Sequence, residues 1–553
     1  MAATDPAAPG SPTPWPNTTR HHNSAVIACR IPAEILGQIF TLCVADPEST
    51  PMSPPLSIPA PKNVQRRWRE FRLGHVCGWW RDVALMTDTL WHNIDLSLGE
   101  KWMEVSAARA RRPLVLRWQA AGPARLSSVQ MDLVCHLLPR CRTVCLRDVQ
   151  VPQHEHAQVQ ENRRIDQGPT SLPLLEELTL TVDGSQFPAL HSDVLYGPTP
   201  HLRRLTLHNI QTLDWQPASM TLGNITLFSF ETARMGLTSM LGWLRGMSSV
   251  EILDIRTRKV DRVDGSASPL TLPHLTLLKL KAELQYVSRL IESFSFPSTT
   301  ALHLQMFCVE NHASNGVADI ANVFRVLSQH FADRAAPFAQ LHILGDYDHV
   351  HFTGWRCEAQ PLHADRSLVG MHYNTAQPDL QLDFNYIDLY DTDYYFIVDD
   401  VIHKLASAIV PSAIRSLQLD VQMHWPGGHL DRLFDAVCNV RTLYVTAAIL
   451  NEVCMSLSAS AHSLDADSTG QPMRCPHLES FTVVAGSIGK ADVHQDYALA
   501  LALADCLNTR RIAGLAIERV KLELDVTHVD KSMGVNLKRM LPDVTITATG
   551  EVL

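Results

Sequence analysis

Gly486-Ser487-Ile488-Gly489-Lys490 comes closest to a phosphate-binding loop, but Val484 stands where the first glycine belongs. With that short spacing the backbone amides cannot wrap a phosphate. No Gly-x-Ser-x-Gly occurs, so a hydrolase nucleophile elbow is absent. His154-Glu155-His156 and His349-Val350-His351 lack the spacing of helical zinc ligands, and a chain with 26 histidines meets such pairs by chance. Asp388, Asp391, Asp393, Asp399 and Asp400 lie among Tyr390, Tyr394, Tyr395 and Phe396 without the glycine and final glutamate of a calcium loop. They read as an acidic loop that could meet a basic partner. The chain is therefore expected to hold no catalytic residue, no metal ligand and no cofactor.

The residues that could form a binding surface lie nearer the N-terminus. Ile31, Ile35 and Ile39, with adjacent Leu36 and Phe40, recur at four-residue spacing and predict an amphipathic helix. Pro32 suits the first helical turn, and Glu34 sits near the positive end of the helix dipole. Pro47, Pro51, Pro54, Pro55, Pro59 and Pro61 then predict an extended loop over 46–63. Val76, Trp80 and Val83 line a second helix, and Leu85, Leu90 and Trp91 form another apolar set past a break near Thr87 and Asp88. A module of roughly 60 residues buries only a small core, so part of its apolar surface is expected to face a partner.

Ile31-Pro32-x-Glu34-Ile35-Leu36-x-x-Ile39-Phe40, followed by Val76-Cys77-x-x-Trp80-Arg81 and Leu90-Trp91, resembles an F-box. That three-helix module joins a substrate receptor to the Skp-type adaptor of a cullin ubiquitin ligase. Ile31 stands where the family commonly has leucine, and Gly78 and Trp79 where basic residues are common. The resemblance implies that Ile31, Pro32, Ile35, Leu36, Ile39, Phe40, Val76, Trp80, Leu90 and Trp91 bind the adaptor.

From Arg111 onward the pattern is Leu-x-x-Leu-x-Leu. It appears at Leu175/Leu178/Leu180, Leu202/Leu205/Leu207, Ile225/Phe228/Phe230, Val250/Leu253/Ile255 and Leu275/Leu278/Leu280. It returns at Phe338/Leu341/Ile343, Ile414/Leu417/Leu419, Val440/Leu443/Val445, Leu478/Phe481/Val483 and Ile517/Val520/Leu522. Cys141/Val144/Leu146 and Leu302/Leu304 are weaker copies. From Leu178 to Leu302 the central position advances by 27, 23, 25, 25 and 24 residues, a period that marks stacked repeats. The alternating core of each copy predicts a strand with one buried face. Helical spacing follows at Leu237 to Leu244, Val317 to Phe331, Val401 to Ile409, Leu430 to Val437 and Tyr497 to Leu507. Strand then helix at this period resembles the irregular leucine-rich repeats that often follow F-boxes. The expected fold class is thus α/β: a three-helix F-box-like unit over 25–100, then a leucine-rich-repeat solenoid, or horseshoe, with a parallel sheet over 111–553. Residues 1–24 are expected to be a disordered leader.

Composition narrows the function further. With 46% hydrophobic and 19% charged residues the chain reads as globular, and no apolar run is long enough for a membrane helix. Its start, without a basic region followed by an apolar one, is expected to carry no secretory signal. Twelve scattered cysteines read as reduced thiols of the cytoplasm or nucleus. A net charge of −10 disfavours nucleic acid. Arg66, Arg67, Arg69 and Arg72, and likewise Arg109, Arg111 and Arg112, read as solvated helix faces.

The expected function is that of a substrate receptor, not an enzyme, which binds a Skp-type adaptor and a protein to be ubiquitinated. The alternative is a leucine-rich-repeat scaffold with no ligase connection, its first helices capping the array. In each copy the residue between the last two apolar positions must point to the other side of the strand. These are Thr179, Thr206, Ser229, Asp254, Lys279, His303, His342, Gln418, Tyr444, Thr482 and Lys521. Asp254, Lys279, His303 and His342 are the expected substrate contacts, taken as neighbours at the middle of one face.

Overall fold

The computed structural model describes residues 30–44, 75–119, 126–149, 172–182, 199–209, 222–261, 269–309, 313–332, 338–345, 349–356, 378–387, 401, 404–405, 413–421, 428–462, 474–485, 493–524, 538–539, 544–548 and 551–552. The expected leader, the proline-rich loop, most of the helix at 401–409 and the acidic stretch from Asp388 lie outside them. Two compact units divide the chain, Met1–Arg204 with Ala218–Thr221, and Leu205–Pro217 with Leu222–Leu553. Both are α/β and carry mostly parallel sheet. Among the described residues no helix is long and apolar enough to cross a membrane.

The first unit begins with helices α1 (Ala33–Val44) and α2 (Gly78–Met86). After a short 3-10 turn at Asp88–Leu90 come strand β1 (Asn93–Asp95), α3 (Glu100–Arg109), β2 (Leu114–Gln119), α4 (Ser128–Leu137), β3 (Cys141–Val149) and β4 (Glu177–Val182). Ile94, Leu116, Val144 and Leu178 stand side by side across the four parallel strands, all buried. The boundary expected between residues 100 and 111 therefore falls inside a unit, because β1 pairs with β2 across it. A capping box starts α4: the Gln130 backbone N–H donates to the Ser127 hydroxyl, and Ser127 N–H donates to the Gln130 side chain.

The second unit holds most of the repeated pattern. Its strands are β5 (Arg204–His208, which starts on the last residue of the first unit), β6 (Leu227–Gly236), β7 (Ile252–Asp261), β8 (Leu277–Glu283), β9 (Ala301–Val309), β10 (Gln340–Gly345), β11 (His349–Trp355) and β12 (Leu380–Ile387). Then follow β13 (Ser416–Val421), β14 (Thr442–Thr446), β15 (Ser480–Ala485), β16 (Arg519–Leu524) and β17 (Thr545–Ala548). Helices α5 (Leu237–Arg245), α6 (Leu284–Glu292), α7 (Ala313–Ala332), α8 (His429–Ala436), α9 (Leu450–His462) and α10 (Val493–Ile512) lie between strands in the chain. All the Leu-x-x-Leu-x-Leu copies became strands, and their apolar positions are buried wherever they are described. The exception is Ile517, just before β16, which is only partly buried.

Two features of the pattern were not anticipated. Many of the copies are entered through a tight turn closed by an N–H to C=O bond from the first apolar position back three residues, as at Leu175 to Leu172 (3.3 Å), Val250 to Met247 (3.3 Å) and Leu478 to Cys475 (3.2 Å). The motif thus has a fourth buried position upstream, here Leu172, Met247 and Cys475. The second feature is a break in the strand order. β9 is flanked not by β10 but by β12, and the spatial order runs β9, β12, β11, β10, β13. Of these only β11 is antiparallel to its neighbours.

The break does not interrupt the faces. Leu278, Leu302, Leu380, Gly354, Leu341 and Leu417 form one row across it on the buried side. Gly354 makes room there: a Cβ would meet the Phe338 ring at 3.1 Å, a close contact that would push the ring aside. If the sheet is two-faced in this way, Leu278→Ala should lower unfolding free energy by about 2–5 kcal/mol, and Lys279→Ala should change it by less than about 0.5 kcal/mol. Urea denaturation of the two variants checks it.

Candidate binding surfaces

In the first unit α1 carries apolar residues around more than one face, and α2 decides which half turns inward. Leu36 and Phe40 pack with Val83 and Ala84 into a small core, edged by Ile31, Trp80 and Leu90. The Phe40 and Trp80 rings meet edge to face at 5.3 Å. Thr41 and Thr89 share a 2.7 Å hydroxyl hydrogen bond, and a Cβ on Gly37 would lie 3.3 Å from the Thr87 hydroxyl, so α1 passes close to the turn after α2. The Trp79 indole N–H donates to the Ile31 carbonyl (3.2 Å). These ties fix α1 at both ends.

The other half of α1 is exposed: Ile35 is 47% exposed, Ile39 37% and Leu42 75%. Val76, Trp79, Leu85 and Met86 are exposed as well. Of the expected adaptor residues, Ile35, Ile39, Val76 and Pro32 lie on the surface, and Ile31, Trp80 and Leu90 are partly covered. Leu36, Phe40 and Trp91 are buried and cannot face a partner. Trp91 has a structural task instead: its indole N–H donates to the Ala84 carbonyl (3.0 Å), it stacks near Trp102, and the Arg109 guanidinium lies 4.5 Å over its ring.

On the second unit, the four expected substrate residues are not consecutive. Asp254, Lys279 and His303 do stand side by side. Gln381 and Thr353 come next, and only then His342, because β12 and β11 intervene. Asp254 is held by Arg256 (2.9 Å), and His303 shares a hydrogen bond with the Pro378 carbonyl (3.1 Å). His342 is 7% exposed, so it is buried rather than offered to a partner. Thr179, Ser229 and Thr482 are likewise buried, so this face is less open than its polarity suggests.

What the intervening strands create instead is a cluster of imidazoles. His349 and His351 sit two apart on β11, on the same side as Asp383 of β12, which lies directly opposite His351. The His349 Nε2 contacts the Asp383 carboxylate, to which the Asn385 amide also donates (3.1 Å). Thr353 Oγ1 and His351 Nε2 are 2.8 Å apart. One donor atom from each of His349, His351 and Asp383 falls within 4.8 Å of the other two. Burial pushes the His351 and His342 imidazoles down to about 4, so both are neutral near pH 7. His342 Nε2 is buried without a hydrogen-bond partner among the described residues. Beyond Leu344 in the neighbouring row lies Asp420, whose carboxyl burial pushes up.

The cluster was missed because the His349/His351 spacing was compared with helical ligand spacing, while on a strand every second residue shares a face. The comparisons with known proteins add nothing to this geometry: no family model matches the sequence, and no curated protein is significantly similar to it.

Two outcomes follow. Ile39→Asp should leave the amides of α1 as protected from hydrogen exchange as in the parent, whereas Phe40→Asp should abolish that protection, since it buries a charge in the Leu36/Val83 core. The second concerns acid. A histidine with a depressed folded pKa contributes stability above about 6.5 that is lost as pH falls toward about 4, because the unfolded chain then binds more protons. Asp420, with its raised pKa, acts in the opposite sense. The parent should therefore lose more stability than His342→Leu between about pH 7 and about pH 5 in paired urea titrations.

Proposed function

We propose that this protein is the substrate receptor of a Skp-cullin-F-box type ubiquitin ligase, with an F-box-like module at its N-terminus and a leucine-rich-repeat domain that holds the target. One observation carries the reading: α1 is split between an inward half, Leu36 and Phe40, and an exposed apolar half, Ile35, Ile39 and Leu42. A helix closing its own small module would leave that second half polar. Exposed aliphatic residues on a short, well-anchored helix are suited to an apolar groove in a partner.

In this reading the protein makes and breaks no bonds. It works by proximity, raising the effective concentration of a target lysine near the transferring enzyme. The target surface is the polar side of the sheet around Asp254, Lys279 and His303, where charges of both signs give orientation. His342 is left out of it, being buried. The competing reading is a leucine-rich scaffold with no ligase connection. It draws on the placement of α1, α2 and β1 to β4 in one compact unit, as a terminal cap would be.

Co-expression with a Skp-type adaptor separates the two. The full-length chain should capture the adaptor, and the Ile35→Asp/Ile39→Asp variant should lose capture while its melting midpoint stays at the parent value. Capture that survives both charges would sink the ligase reading. With a target in hand, Asp254→Lys together with Lys279→Glu should weaken its binding and leave adaptor capture unchanged. Undiminished target binding would move the site off this face.

A further inference from the structure

We propose that His349, His351 and Asp383 bind a divalent transition-metal ion of the zinc class, a site independent of the ligase reading. The three residues come from two adjacent strands of one rigid sheet, so the backbone fixes their separation. Their donor atoms lie within 4.8 Å of one another. Around a tetrahedral zinc with bonds of roughly 2.1 Å the donors would be about 3.4 Å apart, so side-chain rotation closes the site without moving a strand.

The donor set is selective. Two imidazoles and one carboxylate favour zinc and its neighbours over calcium or magnesium, which prefer oxygen alone. The orienting contacts are present too. Thr353 Oγ1 lies 2.8 Å from His351 Nε2, and the Asn385 amide donates to the Asp383 carboxylate. Side-chain exposures of 25% for His349 and 15% for Asp383 leave the ion a way in.

The plainer account is a hydrogen-bonded His349–Asp383 pair with no ion. It explains that pair, but not the neighbouring His342. This imidazole stands opposite Thr353 in the register, is buried, and its Nε2 finds no partner among the described residues. Three protein ligands leave a tetrahedral ion one open position. A water bound there would be a hydrogen-bond donor on the side of the sheet that carries His342.

The test uses the purified full-length chain, stripped with a chelator and titrated with Co²⁺ and then Zn²⁺. The site should give one equivalent of cobalt with the visible absorption of a tetrahedral ion, displaced by zinc. Asp383→Asn and His349→Gln should each weaken binding by about 100-fold or more, since losing even an orienting residue costs 10–100-fold. Far-UV circular dichroism verifies that the variants are folded. Should His351→Ala unfold the chain, the partly exposed His349→Gln still decides. Absence of tetrahedral cobalt absorption overturns the proposal. So does cobalt bound equally by parent and folded Asp383→Asn, which would assign it to other histidines.

Discussion

Everything in the second unit depends on the requirement that a paired strand put alternate side chains on opposite faces. Once Leu253, Leu278 and Leu302 share a buried row, the residues between them are committed to the other side for the whole width of the sheet. A one-residue slip in any strand would turn its leucines outward and its polar residues into the core, which is why register here is strongly specified. The entry turns reinforce this. By closing three residues before the strand, each pins where alternation begins, and the next copy's backbone bonds to the last: Thr276 N–H to the Glu251 carbonyl (2.8 Å), then Ala301 N–H to the Thr276 carbonyl (2.8 Å).

The same constraint explains how a three-strand excursion fits inside a parallel array. β10 leaves β9, β11 runs back, and β12 returns to β9, so the strands at both edges of the excursion remain parallel to what they meet. An excursion of two strands would have presented a reversed edge to β9 or to β13. The price is one antiparallel strand whose buried side must be filled differently, with Val350, Phe352 and the gap at Gly354 that Phe338 enters.

Much of this was legible in the sequence because burial on a strand is written at period two. The copies became strands, and the helices expected at Leu237, Val317, Leu430 and Tyr497 are present. The excursion was not legible. β12 carries Leu380, Leu382 and Phe384, but the sequence has Gln377 and Asn374 at the two upstream positions that are apolar in other copies, and it sits at the edge of an acidic, tyrosine-rich stretch that hid it. Pairing order is also a long-range property, which a repeat period does not encode. On α1 the limit was different. Five apolar residues span too wide an arc to say which half is core, and only Val83 and Ala84 on a second helix settle it. That is why Leu36 and Phe40 were read as surface when they are the module's centre.

The burial of His342 is the point where the fold's own logic leaves something over. Its neighbours across the strands are Thr353 and Gln418, and a leucine would satisfy burial on this strand better than an imidazole with an unpaired nitrogen. Leaving such an atom without a partner costs about 1–3 kcal/mol. The cost is borne where β11 runs against the array and carries two further histidines on the same side. A reversed strand inverts the order in which its residues meet their neighbours, which sets His351 opposite Asp383 and His349 opposite Asn385. In a strictly parallel continuation the same two histidines would face different partners. The excursion and the imidazole cluster are therefore one structural fact.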